Sequence, residues 1–221
     1  MKRILVFGDS NSWGYTDEDN GQRYEKRWPI LLSQDLIQKG FNTEIIEDCL
    51  PGRTTNIDDP QDGIHLNGAK VLKSSLLSHS PIDLVILMLG TNDLKFRFQR
   101  TAENIADGIK ELIQIVLDTN SGSGGWHDVN KSNLVVICPP SLGQKSDDPN
   151  WINFKEWEGG LEKSTELHFS FEKVCSQMGV HLIDANEFCQ SSSIDPIHWS
   201  KKMHLKFSEN LANIIDQKIK L

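Results

Sequence analysis

Ile4-Leu5-Val6-Phe7-Gly8-Asp9-Ser10-Asn11 stands at the start of the chain: four apolar residues, then four turn formers. An unbroken apolar run of this length, without alternation, suits a strand buried on both faces of a parallel sheet. The change to Gly-Asp-Ser-Asn predicts a tight strand-to-helix turn. Two further runs of the same kind follow, Leu84–Leu89 and Leu134–Cys138, with less pronounced candidates at Thr43–Glu47 and Val180–Ile183.

Helical patterns fill the intervals. Trp28–Lys39 has Pro29 near its start, where proline is tolerated, and Gly40 just past its end. Leu66–Leu77 is a second pattern. In Thr101–Leu117 the apolar residues Ala102, Ile105, Ala106, Ile109, Leu112, Ile113 and Val116 recur every three or four positions behind a candidate N-cap, Thr101. Gly160–Met178 ends at Gly179, and Ser200–Ile219 begins on another capping residue. Strand and helix therefore alternate along the chain. That order predicts a doubly wound, three-layer α/β/α sandwich with about five parallel strands, formed as a single domain over residues 1–221.

With 38% hydrophobic residues and 24% charged, the chain has material for a core. A formal net charge of −8 without basic clusters argues against nucleic acid and anionic membrane surfaces as partners. The apolar run at the N-terminus is too short for a signal peptide, and no stretch has the roughly 18–20 apolar residues of a membrane span. These features suggest a cytoplasmic protein. Cys49, Cys138, Cys175 and Cys189 match no metal-binding spacing and read as free core thiols.

In such sheets ligands bind at the carboxyl ends of the strands. Four segments stand there. Gly8-Asp9-Ser10-Asn11 could present a serine hydroxyl, or could be a helix cap or a phosphate-binding turn. Leu50-Pro51-Gly52-Arg53 offers a glycine whose N–H a ligand can approach, or a simple turn. Gly90-Thr91-Asn92-Asp93 offers an amide donor, or a turn bonded to local backbone. In Asp195-Pro196-Ile197-His198 the carboxylate can reach back to Nδ1 of the histidine and leave Nε2 as a base, or can cap the last helix. Taken in order, the four resemble the defining blocks of the SGNH, or GDSL-type, hydrolase family. Gly52-Arg53-Thr54-Thr55-Asn56-Ile57-Asp58-Asp59-Pro60, Met88–Asp93 and Phe154–Thr165 are similar to its bacterial arylesterase/acyltransferase branch.

The resemblance implies a flavodoxin-like fold and a serine esterase. Ser10 would be the nucleophile, with Asp195 and His198 completing the triad, and Ser10, Gly52 and Asn92 forming the oxyanion hole. Asp9, Asp93 and Arg53 would support the site, Arg53 by pairing with the Asp58/Asp59 region or by meeting an acidic substrate group. No metal or organic cofactor is implied; the partner is a small-molecule ester, cleaved by water or passed to an alcohol. Asn11 stands where the family name has leucine, a position that would tune substrate fit. Trp13, Tyr15, Phe96, Phe98, Trp126, Trp151, Phe154 and Trp157 fall in expected loops near the site. They suggest either an apolar pocket, with Asn11, Trp13 and Phe154 as candidate walls, or the interface of a homo-oligomer. A carbohydrate acetyl-esterase or thioesterase of the same family is the alternative reading. A non-enzymatic nucleotide- or phosphate-binding module fits less well, because the chain lacks a G-x-G-x-x-G or P-loop pattern. The α/β-hydrolase fold would require a G-x-S-x-G elbow, which is absent from the sequence.

Overall fold

A computed structural model of the chain describes residues 1–219. Strand β1 (Lys2–Gly8) pairs in parallel with β2 (Thr43–Cys49) on one side and β3 (Leu84–Met88) on the other. β4 (Asn133–Cys138) and β5 (His181–Asp184) extend the sheet to the order β2-β1-β3-β4-β5. All five expected strands form. Because strand side chains alternate between faces, the apolar runs supply two cores. Leu5, Phe7, Val85, Leu87, Val136 and Cys138 enter one; Ile4, Val6, Leu84, Ile86, Met88 and Ile137 enter the other.

Helices cover both faces. α1 (Ser10–Trp13) is one short turn after β1. α2 (Trp28–Gln38) and the C-terminal α7 (Lys201–Lys218) pack together on the second core. α3 (Gly68–His79), α4 (Ala102–Asp118) and α6 (Gly160–Met178) cover the first, and the one-turn α5 (Phe154–Trp157) precedes α6. Thr101 caps α4 by accepting from Asn104 N, while the Asn104 side chain accepts from Thr101 N. The periodic stripe of α4 is wholly buried; each of its large aliphatic side chains contributes about 1.5–3 kcal/mol of transfer free energy, opposed by the entropy of ordering the chain.

α3 starts two residues later than the apolar pattern alone suggests. Asn67 is its N-cap, accepting from Ala69 N at 3.1 Å, and Ile64–Leu66 forms a separate 3₁₀ turn. The delay matters for the site. Gly68 N and Ala69 N donate to the carbonyls of Thr54 and Thr55, so the first turn of α3 pins the loop after β2. The direction of winding reverses between β1 and β3. The loops after those strands therefore diverge and leave a crevice at their carboxyl ends. Among the described residues no helix is long and apolar enough to cross a membrane.

Candidate active site

Ser10 begins α1 at the mouth of that crevice and is only 4% exposed. Asp9 caps the turn, its carboxylate accepting from Asn11 N at 3.0 Å. Gly8 permits the tight path: a Cβ there would fall 2.3 Å from Ser12 Oγ, inside any contact distance. Burial pushes the Asp9 carboxyl up to about 6, against the opposing pull of the Asn11 N–H and of the charges on His198 and Arg53.

Asp195 and His198 lie in the irregular segment between β5 and α7. Ser192 Oγ accepts from Asp195 N at 2.9 Å, and Asp195 Oδ1 accepts from the backbone N–H groups of Ile197 (2.8 Å) and His198 (3.2 Å). The other carboxylate oxygen meets His198 Nδ1 at 2.6 Å, and His198 Nε2 meets Ser10 Oγ at 3.0 Å. Burial alone would raise the Asp195 pKa; the bonds from His198 and the two N–H groups outweigh it and hold the carboxyl below its ordinary range. The Tyr15 ring lies against the imidazole, with centroids 4.0 Å apart at 34°.

Gly52, at φ +86°, turns the chain after β2, and its neighbour Arg53 folds back under the sheet edge. The expected pairing of Arg53 with Asp58 or Asp59 does not form. Its guanidinium instead binds the Asp48 carboxylate at 2.7 Å, the Asp48 and Gly8 carbonyls, and the face of Phe7 at 4.1 Å. Asp58 takes Asn67 and Lys70, and Asp59 takes Arg97. At 4% exposure Arg53 is held inside the scaffold. It joins the ends of β1 and β2, the strands that precede Ser10 and Gly52.

Asn92 opens a 3₁₀ turn after β3 and donates from Nδ2 to the Arg53 carbonyl at 3.1 Å. Asp93 is fully buried. It accepts from Thr55 N (2.9 Å), Thr55 Oγ1 (2.6 Å) and Arg100 Nη1 (2.6 Å), so it ties the loops after β2 and β3 together. Burial raises its pKa, and Arg100 and Thr55 only partly offset that. Asp93→Ala would leave Arg100 and Thr55 without this partner. We expect it to destabilise the fold by about 3–5 kcal/mol, measured by urea unfolding, as for other broken buried ion pairs.

A cleft of about 260 Å³ opens over Ser10 and His198. Its walls include Tyr15, Pro51, Gly52, Asn92, Lys95, Trp151, Asn153, Glu156, Trp157 and Ile197. The three candidate wall residues are not among them. Asn11 is 2% exposed and turned inward onto backbone; Trp13 lies under the Arg23 guanidinium at 5.4 Å; Phe154 sits on α5, whose residues Glu156 and Trp157 reach the cleft in its place. Sequence reasoning missed Lys95 and Glu156. Lys95 Nζ binds Glu156 Oε1 at 3.1 Å and lies over the Trp157 ring at 5.6 Å. The one local signal was the position of Lys95 just beyond Gly90-Thr91-Asn92-Asp93.

Near His198 lies His204, fully buried beside Trp199, its Nδ1 accepting from Trp28 N at 3.3 Å. Burial, helped by the charges of Arg27 and His198, depresses its pKa to about 3. An unfolded histidine takes up its proton near pH 6.5. Between those values the unfolded chain binds more protons, so the contribution of His204 is complete above about pH 6.5 and is lost as pH falls towards 3. Asp9 acts in the opposite sense, its burial weighing against the fold as pH rises from about 4 to 6. The difference between wild type and His204→Asn, which keeps an acceptor for Trp28 N, isolates the histidine. The variant is expected to gain stability relative to the wild type as pH falls from about 6.5 to 4, read as the difference between the two urea midpoints.

The chain is similar to proteins described as esterases. The curated arylesterase of Vibrio mimicus is 29% identical over 147 residues, 66% of this chain; the match spans 60% of the length of that relative. The inhibitor-bound aryl esterase of M. smegmatis is 38% identical over 97% of this chain and 98% of its own, with a TM-score of 0.87. A carbohydrate acetylesterase of Sinorhizobium meliloti is 35% identical with the same coverage and a TM-score of 0.86. The family model for GDSL-like lipases and acylhydrolases matches residues 6–206, and the chain belongs to the GDSL-like lipase/acylhydrolase family.

Proposed function

We propose that the chain is a serine esterase that hydrolyses carboxylic esters of short acyl groups or aryl alcohols through an acyl-enzyme on Ser10. The observation that carries this reading is the continuous relay from Asp195 through His198 to Ser10 Oγ, at 2.6 and 3.0 Å, opening into a cleft that also holds Gly52 and Asn92. In this reading Ser10 Oγ attacks the ester carbonyl while His198 Nε2 takes its proton. Asp195 holds the ring and stabilises the imidazolium. The oxyanion is received by the backbone N–H groups of Ser10 and Gly52 and by the Asn92 amide. Collapse breaks the bond to the alkoxy oxygen, which leaves with the proton from His198. Water, deprotonated by the same base, then releases the acid; an alcohol in its place gives acyl transfer.

One observation favours a second reading, a carbohydrate acetylesterase. The cleft is small and carries Lys95, Asn153 and Glu156 beside Trp151 and Trp157. A ring stacked on an indole with hydroxyls meeting charged groups suits a sugar. The Sinorhizobium relative is described as acting on such esters. Assembly into a homo-oligomer also belongs to this proposal. Trp126 and Phe169, each more than two-thirds exposed, are candidates for burial in it, and light scattering on the purified protein reads the subunit count.

Turnover of p-nitrophenyl acetate, with trapping by a fluorophosphonate, tests the central claim. The expected result is hydrolysis above the buffer blank and one phosphonyl adduct on the Ser10 peptide by mass spectrometry. No turnover and no adduct would overturn it.

A further inference from the structure

Asn11 is gripped at three points. Its N–H donates to Asp9 Oδ1 at 3.0 Å, its Nδ2 donates to the Ile197 carbonyl at 3.2 Å, and its Oδ1 accepts from Trp199 N at 3.2 Å. The orientation of the amide is fixed, because Ile197 offers only an acceptor and Trp199 only a donor. Residues 197 and 199 are the two neighbours of His198. The side chain beside the nucleophile thus holds the main chain immediately before and immediately after the base. Nucleophile and base are 188 residues apart in sequence. Their 3.0 Å contact depends on how two separate segments are registered, and β5, the strand before the base segment, is only four residues long.

We propose that Asn11 is a positioning residue, a two-bond clip that sets the His198 segment against the Ser10 turn so that Nε2 meets Oγ. This rests on the reading of Ser10, Asp195 and His198 given above. The Asp195 bond orients the ring and the Tyr15 ring lies on its face, but neither fixes the distance between the two segments. The clip does, and it does so without a charge. Misplacing a reacting group by about 1 Å can cost about 100-fold in rate. The expected loss on breaking the clip is therefore one to two orders of magnitude in turnover, with little change in substrate affinity.

Asn11→Leu keeps the approximate size of the side chain and removes both bonds. A double-mutant cycle with Asp195→Asn, read as kcat and KM on p-nitrophenyl acetate, separates positioning from simple structural support. We expect Asn11→Leu to lower kcat by about 10- to 100-fold, with KM within about twofold and a native circular dichroism spectrum. In the Asp195→Asn background, where the base is already loose, the same substitution should cost only a few-fold more, because groups acting as one unit are not additive. Full multiplicative loss in that background, or wild-type kcat in Asn11→Leu, would overturn the proposal. Should leucine prevent folding, Asn11→Ala, which introduces no bulk, is carried through the same cycle; failure of both to fold would assign Asn11 to the scaffold alone. If Asp195→Asn itself leaves activity intact, it is the underlying triad that fails, and the two failures are distinguishable.

Discussion

Ser10→Ala is expected to lose about 10³-fold or more of kcat/KM on p-nitrophenyl acetate while keeping the thermal midpoint of the wild type. The substitution removes one oxygen from a buried position, and the bond it breaks is the one to His198 Nε2. The turn itself does not depend on that oxygen. It is held by the Asp9 cap, by the carbonyl of Ser10 accepting from Gly14 N and Tyr15 N, and by the close approach of Gly8 to Ser12. A residual rate should survive, because Gly52, Asn92 and the cleft would still bind the ester and stabilise charge. The same assay run in parallel on both proteins decides the matter. Equal trace rates would remove Ser10 as nucleophile and leave the Gly8–Asn11 turn to be explained as a binding element.

Much of this architecture was legible because it is written locally. A strand buried on both faces must be apolar throughout, and Ile4–Phe7, Leu84–Leu89 and Leu134–Cys138 have no other simple reading. Helix starts were legible where a cap or an early proline announced them, as at Trp28, Thr101 and Ser200. α3 was misplaced by two residues because Leu66 continues the apolar period while Asn67 ends it chemically. Ser10, Gly52, Asn92 and His198 were legible as candidates for the same local reason: each lies within a few residues of the carboxyl end of a strand or of the start of the last helix. The cleft walls were not. Whether Trp13 or Tyr15 reaches His198 depends on the turn at Gly14, and Lys95 meets Glu156 only because α5 folds across the loop after β3. Arg53 had acidic residues on both sides in sequence. The positive φ of Gly52 sends it back to Asp48, a choice made by the path of the chain and not by charge.

Asn92→Ala is expected to lower kcat by about 10²- to 10³-fold with KM little changed, the loss of about 2.7–4 kcal/mol typical of one oxyanion donor. The amide has two N–H bonds. One is committed to the Arg53 carbonyl, and this fixes the plane of the side chain. The second has no protein acceptor among the described residues, and Asn92 forms part of the cleft wall beside Gly52 and Ser10. A preorganised, buried donor of this kind does most where charge develops, so its removal should leave ground-state binding nearly intact. Asn92→Asp sharpens the test. It preserves shape but replaces donors with a carboxylate facing the developing oxyanion, and should be at least as damaging as alanine. A merely structural asparagine would give a different pattern: a lower thermal midpoint in both variants, because neither alanine nor aspartate can donate to the Arg53 carbonyl, with kcat unchanged in the folded fraction. A loss of only a few-fold in both variants would leave oxyanion stabilisation to the backbone N–H groups of Ser10 and Gly52 alone.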